Sequence, residues 1–394
     1  MPDLTGDAVA YLDHAATTPV RPEALAALTE ELAQVGNPSS QHTSGRRARR
    51  VVEESREAIA AALGVRAGDV VLTSGGTEAD NLAVLGLYRA RRAEDASRTR
   101  VLASAVEHHA VLDPVDHLGE REGADVGWLP VDDLGRVDLG WLKSELADNA
   151  ERIALVTVMW ANNEVGTIQP VAEAAALCAE HGIPFHSDAV QAVGSLPVDA
   201  SAVDSLALSG HKTGGPVGVG ALVLRRGLSP VPLAFGGGQE REIRSGTVDA
   251  AGFAALAAAV TASMADMDLR TARVRGLRDA LVDGVLGSVD DVVRNGDPEH
   301  SLPGIAHLTF AGCEGDSLLL LLDAVGVECS RGSACSAGVP QPSHVLLAMG
   351  MDAATARGSL RFSLGWSSTE RDVDRLLDAL PAAVARARRA RSRR

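Results

Sequence analysis

The feature that most constrains the fold of this chain is a regular alternation of short apolar runs with helix-like segments. Segments such as 78–91 and 171–181 have helical character and separate the runs. The apolar runs have the composition of buried strands: Val70–Thr73, Arg100–Ser104, Ile153–Trp160, Ile183–Ser187, Ser205–Ser209 and Gly220–Leu224. This alternation is typical of a mostly parallel sheet wrapped by helices, and it continues to about residue 250.

A second unit follows the alternating region. The Ala-rich stretch 250–265 predicts a long helix, after which the pattern predicts a strand at 306–310, a helix at 316–324 and a strand at 359–363. A chain of 394 residues is long enough for two domains. We therefore predict an α/β fold with a large domain over residues 15–250. A smaller α/β domain is expected from residues 1–14 and 251–394, including a loop at about 329–343.

Charge and composition exclude several classes of protein. The formal net charge of −15 argues against direct nucleic-acid binding, which needs a basic surface. The longest apolar stretch, 250–265, is shorter than the roughly 20 residues that span a bilayer. The first ten residues contain Asp3 and Asp7 and no apolar core, so we expect no signal peptide and a cytoplasmic location. Four cysteines are too few for a disulfide scaffold, and their spacing predicts no metal site.

The C-terminal segment 382–394 carries six arginines. Its simplest interpretation is a solvated, fraying helix end. The alternative is a docking element for an acidic partner or an RNA.

Lysine is scarce, so chemistry that needs an ε-amine has two candidates, Lys143 and Lys212. Lys143 lies on the polar side of an amphipathic helical pattern and is expected at the surface. Lys212 follows an apolar strand and opens a glycine-rich loop, 209–220, where a ligand can approach the backbone. A lysine in this context can form a Schiff base with a carbonyl group or with pyridoxal 5'-phosphate (PLP). The alternative is an ordinary glycine-rich turn.

Two further segments lie at the ends of predicted strands. One suggests a phosphate-binding site, and the other supplies a carboxylate. Residues 70–78 read as a strand, a glycine turn and a helix start, whose N–H groups and Thr77 hydroxyl suit a phosphate. Alternatively, Thr77 merely caps the helix. Asp188 falls at the carboxyl end of a strand, where ligands of open α/β sheets bind, and it can keep a pyridinium nitrogen protonated. Helix capping is the competing role for Asp188.

A pair of histidines follows another strand. His108 can stack on a flat cofactor and move protons near neutral pH, whereas His109 is expected to be a surface or packing residue.

Together these segments resemble one family. The chain resembles a cysteine desulfurase of the class V aminotransferase group, a PLP-dependent fold-type I family, over residues 11–366. The motifs that carry the resemblance occur in the family's order: Tyr11-Leu-Asp-His-Ala-Ala-Thr-Thr-Pro19, Gly36-Asn-Pro-Ser-Ser-Gln-His42, Thr73-Ser-Gly-Gly-Thr-Glu-Ala-Asp-Asn81, Asn162-Asn-Glu-Val-Gly166, His186-Ser-Asp-Ala-Val-Gln191, Ser209-Gly-His-Lys-Thr-Gly-Gly-Pro216 and Arg244-Ser-Gly-Thr247.

The resemblance implies a role for each matching residue. Lys212 would hold PLP and later move the substrate's Cα proton, and His108 would stack on the ring. Asp188 would pair with the ring nitrogen and Gln191 with the ring oxygen. The remaining cofactor contacts, mostly to the phosphate, would come from Gly76, Thr77, Asn163, Ser209 and His211, and from Thr247 of the neighbouring subunit in a homodimer. The substrate carboxylate would be held by Asn37, Asn163 and Arg361, since an arginine fork suits a carboxylate.

Cys335 is the predicted sulfur carrier. It lies among Gly, Ser, Ala and Pro residues, which predict an exposed loop, whereas Cys178 and Cys329 are expected to be packed. An incidental loop thiol is the alternative. Two positions depart from the family's pattern: Val217 replaces a frequent lysine, and Arg331 replaces a frequent serine. We hypothesise that the charge of Arg331 lowers the pKa of the Cys335 thiol.

The sequence therefore predicts an enzyme that converts L-cysteine to L-alanine and forms a persulfide on Cys335. The sulfur acceptor is expected to be a protein, either an iron–sulfur scaffold or a tRNA-thiolation enzyme. Two alternatives stay open. One is selenocysteine lyase or another class V PLP enzyme, and the other is a non-catalytic scaffold of the same fold.

Overall fold

The computed structural model describes residues 9–332 and 341–391. Twelve strands occur in these two ranges: β1 Ala10–Tyr11, β2 Val70–Thr73, β3 Arg100–Ser104, β4 Asp125–Leu129, β5 Ile153–Thr157, β6 Phe185–Asp188, β7 Ser205–Ser209, β8 Gly220–Leu224, β9 Val292–Asn295, β10 Ile305–Phe310, β11 Val327–Glu328 and β12 Ser359–Ser363. The described α-helices are α1 Pro22–Leu32, α2 Thr43–Leu63, α3 Gly76–Glu94, α4 His109–Glu122, α5 Leu139–Asn149, α6 Val171–Glu180, α7 Gly210–Thr213, α8 Ala250–Ala265, α9 Met267–Ser288, α10 Gly315–Asp323, α11 His344–Ala348, α12 Ala353–Ala356 and α13 Glu370–Arg391.

The predicted sheet forms the centre of the large unit. Seven strands lie in the order β2-β8-β7-β6-β5-β3-β4, and β8 alone among them runs antiparallel to its neighbours. Successive side chains of a strand point to opposite faces. In β7, Leu206 and Leu208 therefore pack into one hydrophobic core, and Ala207 packs into the core on the other face. This confirms the α/β class with a mostly parallel sheet.

All strands of this sheet except β8 bring their carboxyl ends to one edge. Thr73 at the end of β2 and Ser209 at the end of β7 are both paired with Gly220 of the strand between them. The turns and loops that follow β2, β3, β6 and β7 are therefore neighbours, and they carry most of the predicted site residues.

A second layer has its own core. Strands β12, β10 and β9 form an antiparallel sheet, and β1 pairs with β11 in a two-stranded parallel sheet. Helices α9, α10 and α13 contribute apolar residues to the core beneath these strands. The division at residue 250 stays a prediction. Helix α8 packs on α1 and α2 and contributes Phe253 and Leu256 to a core of the large sheet, which favours a later boundary.

Within residues 9–332 and 341–391, no single helix has the length and apolar character needed to cross a membrane. Helices α8 and α9 satisfy that test only as a pair, with a 73° bend between them.

The prediction of a solvated C-terminal end is wrong for Ala383, Val384 and Ala387, whereas Ala385, Arg386 and Arg389 are exposed. Ala383, Val384 and Ala387 are buried in the small core as part of α13. Arg388 donates from Nη2 to the carbonyl of Asp290, 2.7 Å away. The count of arginines misled the prediction because it took no account of the alanine and valine side chains between them, which pack into the core. Residues 392–394 lie outside the described part.

Candidate active site

A cavity of about 350 Å³ opens where the strand ends meet the small layer. This size is within the usual range for small-molecule sites. The cavity is lined by ten of the predicted residues: Gly76, Thr77, His108, Asn163, Asp188, Gln191, Ser209, His211, Lys212 and Arg361. The structure thus brings together predicted residues from both layers, and two of them, Gly76 and Arg361, are 285 positions apart in the chain.

Lys212 has the environment of a nucleophilic amine. It lies in the short helix α7, directly after β7, and its Nζ donates to the carbonyl oxygens of Ala15 and of Ala16, the latter at 2.7 Å. Burial, reinforced by the positive charge of Arg361, lowers its pKa to about 8. An appreciable fraction of the amine is therefore unprotonated near neutral pH, as attack on a carbonyl requires. Lys143 is exposed on α5, as predicted.

The turn before α3 presents donors at one end of the cavity. Helix α3 begins at Gly76, and its N-cap, Gly75, has a φ of 150° and makes no side-chain cap. A Cβ added at Gly76 would lie 2.7 Å from Val190 Cγ2, so the close approach of this turn to the segment after β6 requires glycine. The exposed Thr77 hydroxyl adds to the free N–H groups of the first helical turn. These donors at a helix N-terminus suit a phosphate.

His211 and Ser209 complete this end of the cavity. His211 Nδ1 lies 3.3 Å from Thr17 Oγ1, and burial, with the charge of Lys212, lowers the His211 pKa to about 4. The neutral ring can donate one N–H, and the Ser209 hydroxyl offers another donor.

The middle of the cavity contains an acid and an imidazole. Asp188 ends β6, is buried, and accepts a hydrogen bond from the N–H of Val190 at 2.8 Å. Burial raises its pKa, and a cation bound beside it would reverse that effect. His108 Nδ1 accepts from the N–H of Ala110 at 3.1 Å, which places the proton of the neutral ring on Nε2. Surrounding protein, with the charge of Lys212, lowers the His108 pKa.

Arg361 carries the positive charge at the far end. Its Nη1 donates to the carbonyl of Asn163 at 2.8 Å, and its Nη2 donates to Asp13 Oδ1 at 2.7 Å. The Nε group is buried and has no acceptor among the described residues. An unsatisfied guanidinium N–H at this position suits a carboxylate ligand.

Sequence reasoning missed two acidic residues at the site. Asp13 is only partly buried and does not line the cavity, but it orients Arg361, and the motif 11–19 gave no role to this residue. Asp80 lines the cavity and is 3.2 Å from His186 Nε2, with both side chains buried. The sequence did contain a signal for Asp80. It lies four residues after Gly76 on α3, so both residues share the helix face that is turned toward the sheet.

Two of the predicted residues that the structure describes, Asn37 and Thr247, are not among those that line the cavity. Asn37 is exposed, and its Oδ1 accepts from the N–H of Ser39 at 2.9 Å. Thr247 is exposed in a loop after β8. Cys335 lies outside the described residues. The roles predicted for these residues stay predictions.

The other cysteines are packed. Cys178 and Cys313 are buried, and Cys329 packs against the small core. Burial raises the pKa of Cys178 and of Cys329 to about 12, so neither thiol is reactive near neutral pH.

Arg331 is held by two acceptors. Its Nη1 donates to Asp316 Oδ1 at 2.7 Å, and its Nη2 donates to the carbonyl of Gln341 at 2.8 Å. The hypothesis that Arg331 lowers the pKa of Cys335 stays a prediction. The charge of Arg331 is already paired with the Asp316 carboxylate, which would weaken its effect on the thiol.

The residues present fit a PLP-like group. The cavity has phosphate donors at the start of α3, an amine with a lowered pKa, and a buried carboxyl with one oxygen engaged by Val190. The unsatisfied Nε of Arg361 adds a site for a second anion. These four features match the phosphate, aldehyde and ring nitrogen of the cofactor and the carboxylate of an amino acid.

Comparisons with known proteins agree with this site. The family model for aminotransferase class-V matches residues 10–376. An IscS-like cysteine desulfurase of Mycobacterium tuberculosis is 57% identical over 385 residues, which is 97% of this chain and 98% of that protein. A solved NifS-like protein superposes with a TM-score of 0.86 at 32% identity, covering 96% of this chain and 99% of that one. The solved structure of SspA in complex with cysteine has a TM-score of 0.79 at 32% identity and covers 91% and 99%.

The chain belongs to the aminotransferase class-V family, with the fold of its NifS-like members. Within that family it groups with the IscS-like cysteine desulfurases, as its identity to the mycobacterial relative over nearly both full lengths establishes.

Proposed function

We propose that this chain is a PLP-dependent cysteine desulfurase that converts L-cysteine to L-alanine and retains the sulfur on Cys335. The observation that carries the proposal is the convergence of Lys212, Asp188, His108 and Arg361 on one cavity. A lysine with a lowered pKa, a buried acid, a neutral imidazole and an arginine are the groups that amino-acid chemistry with PLP requires.

The cofactor would be held at both ends of the cavity. Thr77, Ser209, His211 and the N–H groups from Gly76 would bind its phosphate, and Gln191 would reach the ring oxygen. PLP supplies an electron-withdrawing ring that stabilises negative charge at the substrate's Cα. Asp188 would keep a proton on the ring nitrogen, because a buried carboxylate favours an adjacent cation.

The chain's own groups would then move protons and sulfur. Arg361 would bind the substrate carboxylate, and Lys212 would take the Cα proton as its free amine. The Cys335 thiolate would attack the substrate sulfur, so that an S–S bond forms while the Cβ–S bond breaks. The electron pair of the broken bond would stay with Cβ, which takes up a proton. The products would be L-alanine and a persulfide on Cys335.

A homodimer accounts for Thr247. This residue is exposed and absent from the lining of its own cavity, so any contact with a bound phosphate would be made in a partner subunit. In the dimer we propose, Thr247 reaches the phosphate bound to the partner subunit. The proposed setting is the cytoplasm, where an iron–sulfur scaffold or a tRNA-thiolation enzyme would take the sulfur.

The decisive experiment compares the only two lysines. Purified wild-type protein should show the yellow absorbance of lysine-bound PLP and release alanine from L-cysteine. Lys212→Ala should lose both, whereas Lys143→Ala should keep both. Persistence of the absorbance in Lys212→Ala would refute the assignment of the cofactor lysine. Alanine formed from selenocysteine but not from cysteine would favour a selenocysteine lyase, and absence of PLP from wild-type protein would favour a scaffold.

A further inference from the structure

The loop of residues 235–247, here called the Thr247 loop, is bound to the same strand and helix that shape the predicted phosphate site. Strand β2, the turn 74–75 and the start of α3 follow one another in sequence. The loop contacts this unit through ionic side chains. Two of the contacts involve ion pairs, and in a third Arg241 Nη2 donates to the carbonyl of Val70 at 3.0 Å.

The first contact is a buried ion pair at the edge of the sheet. Arg56 of α2 donates from Nη1 and Nη2 to the two carboxylate oxygens of Glu240, each at 2.7 Å. Glu240 Oε2 also accepts from the N–H of Leu72 at 3.0 Å, and Arg56 Nη1 donates to the carbonyl of Val70 at 2.8 Å. Since β2 is an edge strand, these bonds satisfy backbone groups that have no neighbouring strand.

The second contact lies at the start of α3. Arg244 Nε donates to Glu78 Oε1 at 2.9 Å, and Glu78 Oε2 accepts from the N–H of Ser74 at 2.7 Å. Burial acts to raise the pKa of Glu78, but the hydrogen bonds from Arg244 and Ser74 outweigh it and lower the pKa. Glu78 therefore stays ionised and joins the phosphate turn to the Thr247 loop.

The backbone between the two contacts is strained. Arg241 and Glu242 have φ values of 54° and 62°, in the left-handed region that non-glycine residues rarely adopt. Such a conformation persists only where surrounding contacts fix it. The N–H of Gly246 also donates to Gln239 Oε1 at 2.8 Å, which fixes the residue beside Thr247. The loop is thus held in one shape up to Thr247.

We propose that the Glu78–Arg244 ion pair is a positioning element for the phosphate of the cofactor. It would act through charge: Arg244 neutralises a carboxylate in the first turn of α3 that otherwise repels the phosphate. This inference rests on the proposed function, because the phosphate is that of PLP. Arg244 acts through Glu78, whose carboxylate already engages its Nε group.

The charge of Glu78 predicts the direction in which each substitution should change phosphate binding. A carboxylate in the first turn of a helix competes with a phosphate for the same positive helix end. Removing Arg244 leaves the Glu78 charge without its partner and should weaken phosphate binding. Replacing Glu78 with glutamine in that variant removes the charge but keeps an acceptor for the Ser74 N–H, so binding should recover.

The experiment titrates the full chain, freed of cofactor, with PLP and with pyridoxal, which lacks the phosphate. The measured quantity is the ratio of the pyridoxal Kd to the PLP Kd. Arg244→Ala should reduce this ratio about tenfold, and Glu78→Gln added to Arg244→Ala should restore most of it. Arg244→Gln, which removes the charge but keeps a hydrogen-bond donor, serves as the second variant if the alanine variant does not fold.

The matched control is Arg89→Ala. Arg89 pairs with Glu122 at 2.5 Å between α3 and α4, with exposures of 31% and 25% that resemble the 20% and 25% of Arg244 and Glu78. This control should leave the ratio unchanged.

Each remaining outcome overturns one claim. An unchanged ratio in both Arg244 variants would refute the positioning role. A reduced ratio that Glu78→Gln fails to restore would make Arg244 a direct phosphate ligand and would also refute that role. A wild-type protein with no preference for PLP over pyridoxal would instead refute the proposed function.

Discussion

Arg361 Nη2 donates to Asp13 Oδ1 across 2.7 Å, although 348 residues separate the two in the chain. The contact joins β12 of the small layer to the segment that precedes α1. The backbones meet there as well, because Asp13 forms a bridge with Ser363. The orientation of the candidate carboxylate-binding arginine therefore depends on correct assembly of the N-terminal segment with the C-terminal third of the chain.

This relationship predicts the effect of Asp13→Asn. The neutral amide would hold the Arg361 fork less firmly, so we expect the KM for L-cysteine to rise about tenfold with little change in kcat. Steady-state alanine release checks this result. Asp125→Asn is the control, because Asp125 also pairs with an arginine, Arg100, at 2.8 Å, but that arginine does not line the cavity. An unchanged KM in Asp13→Asn would contradict the orienting role.

The lowered pKa of Lys212 predicts how cofactor capture depends on pH. The amine reacts only when unprotonated, so the rate of PLP capture by the cofactor-free chain should rise with pH and level off above a midpoint of about 8. Stopped-flow absorbance measures this rate. The negative charge of Asp13 acts to raise the Lys212 pKa, so Asp13→Asn should move the midpoint to lower pH. A midpoint near the ordinary lysine value of 10.5 would contradict the cavity's effect.

The proposed dimer predicts complementation between two defective chains. Lys212→Ala lacks the amine, and Thr247→Ala lacks the group offered to the partner's phosphate. Co-expression should create mixed dimers in which one site has both residues, so about a quarter of all sites regain activity at random pairing. Alanine release from the mixed preparation measures this recovery. Activity no higher than that of the separate variants would exclude a contribution of Thr247 across the subunit interface.

The hypothesis for Arg331 predicts a shift in the reactivity of Cys335. If the guanidinium favours the thiolate, Arg331→Ala should move the pH midpoint of Cys335 alkylation upward. Cys178 and Cys329, with pKa values of about 12, should not react in this range. Asp316→Asn removes the carboxylate that pairs with Arg331 and should move the midpoint downward. Identical curves for wild type and Arg331→Ala would reject the hypothesis.

Local sequence patterns predicted the centre of the fold well. The bounds of β2, β3, β7, β8 and β12 agree with the predicted runs, because each strand is almost wholly buried and has apolar residues at its centre or along its length. The comparisons confirm the predicted family and enzyme class. Strands β4 and β9 were missed because both are partly exposed edge strands that contain polar residues.

Contacts between distant segments were harder to predict. Lys212, Asp188 and Thr77 occur in local motifs that follow predicted strands. Because the carboxyl ends of parallel strands share one edge of a sheet, the sequence predicted that these three residues lie close together. Asp13 reaches Arg361 only through the pairing of two layers, which no local pattern encodes. The same reason explains the error over Ala383, Val384 and Ala387, whose burial depends on the packing of α13 against α9 and α10 rather than on composition.

The most direct test of the proposed desulfurase measures where the sulfur of L-cysteine goes. Full-length protein is incubated with L-cysteine, released alanine is quantified, and mass spectrometry of its peptides locates any added sulfur atom. The account predicts alanine in equal amount to sulfur bound on Cys335 in the first turnover, and neither product from Cys335→Ser, which should keep the PLP absorbance. Alanine release undiminished in Cys335→Ser, or added sulfur on Cys329 in place of Cys335, would contradict it.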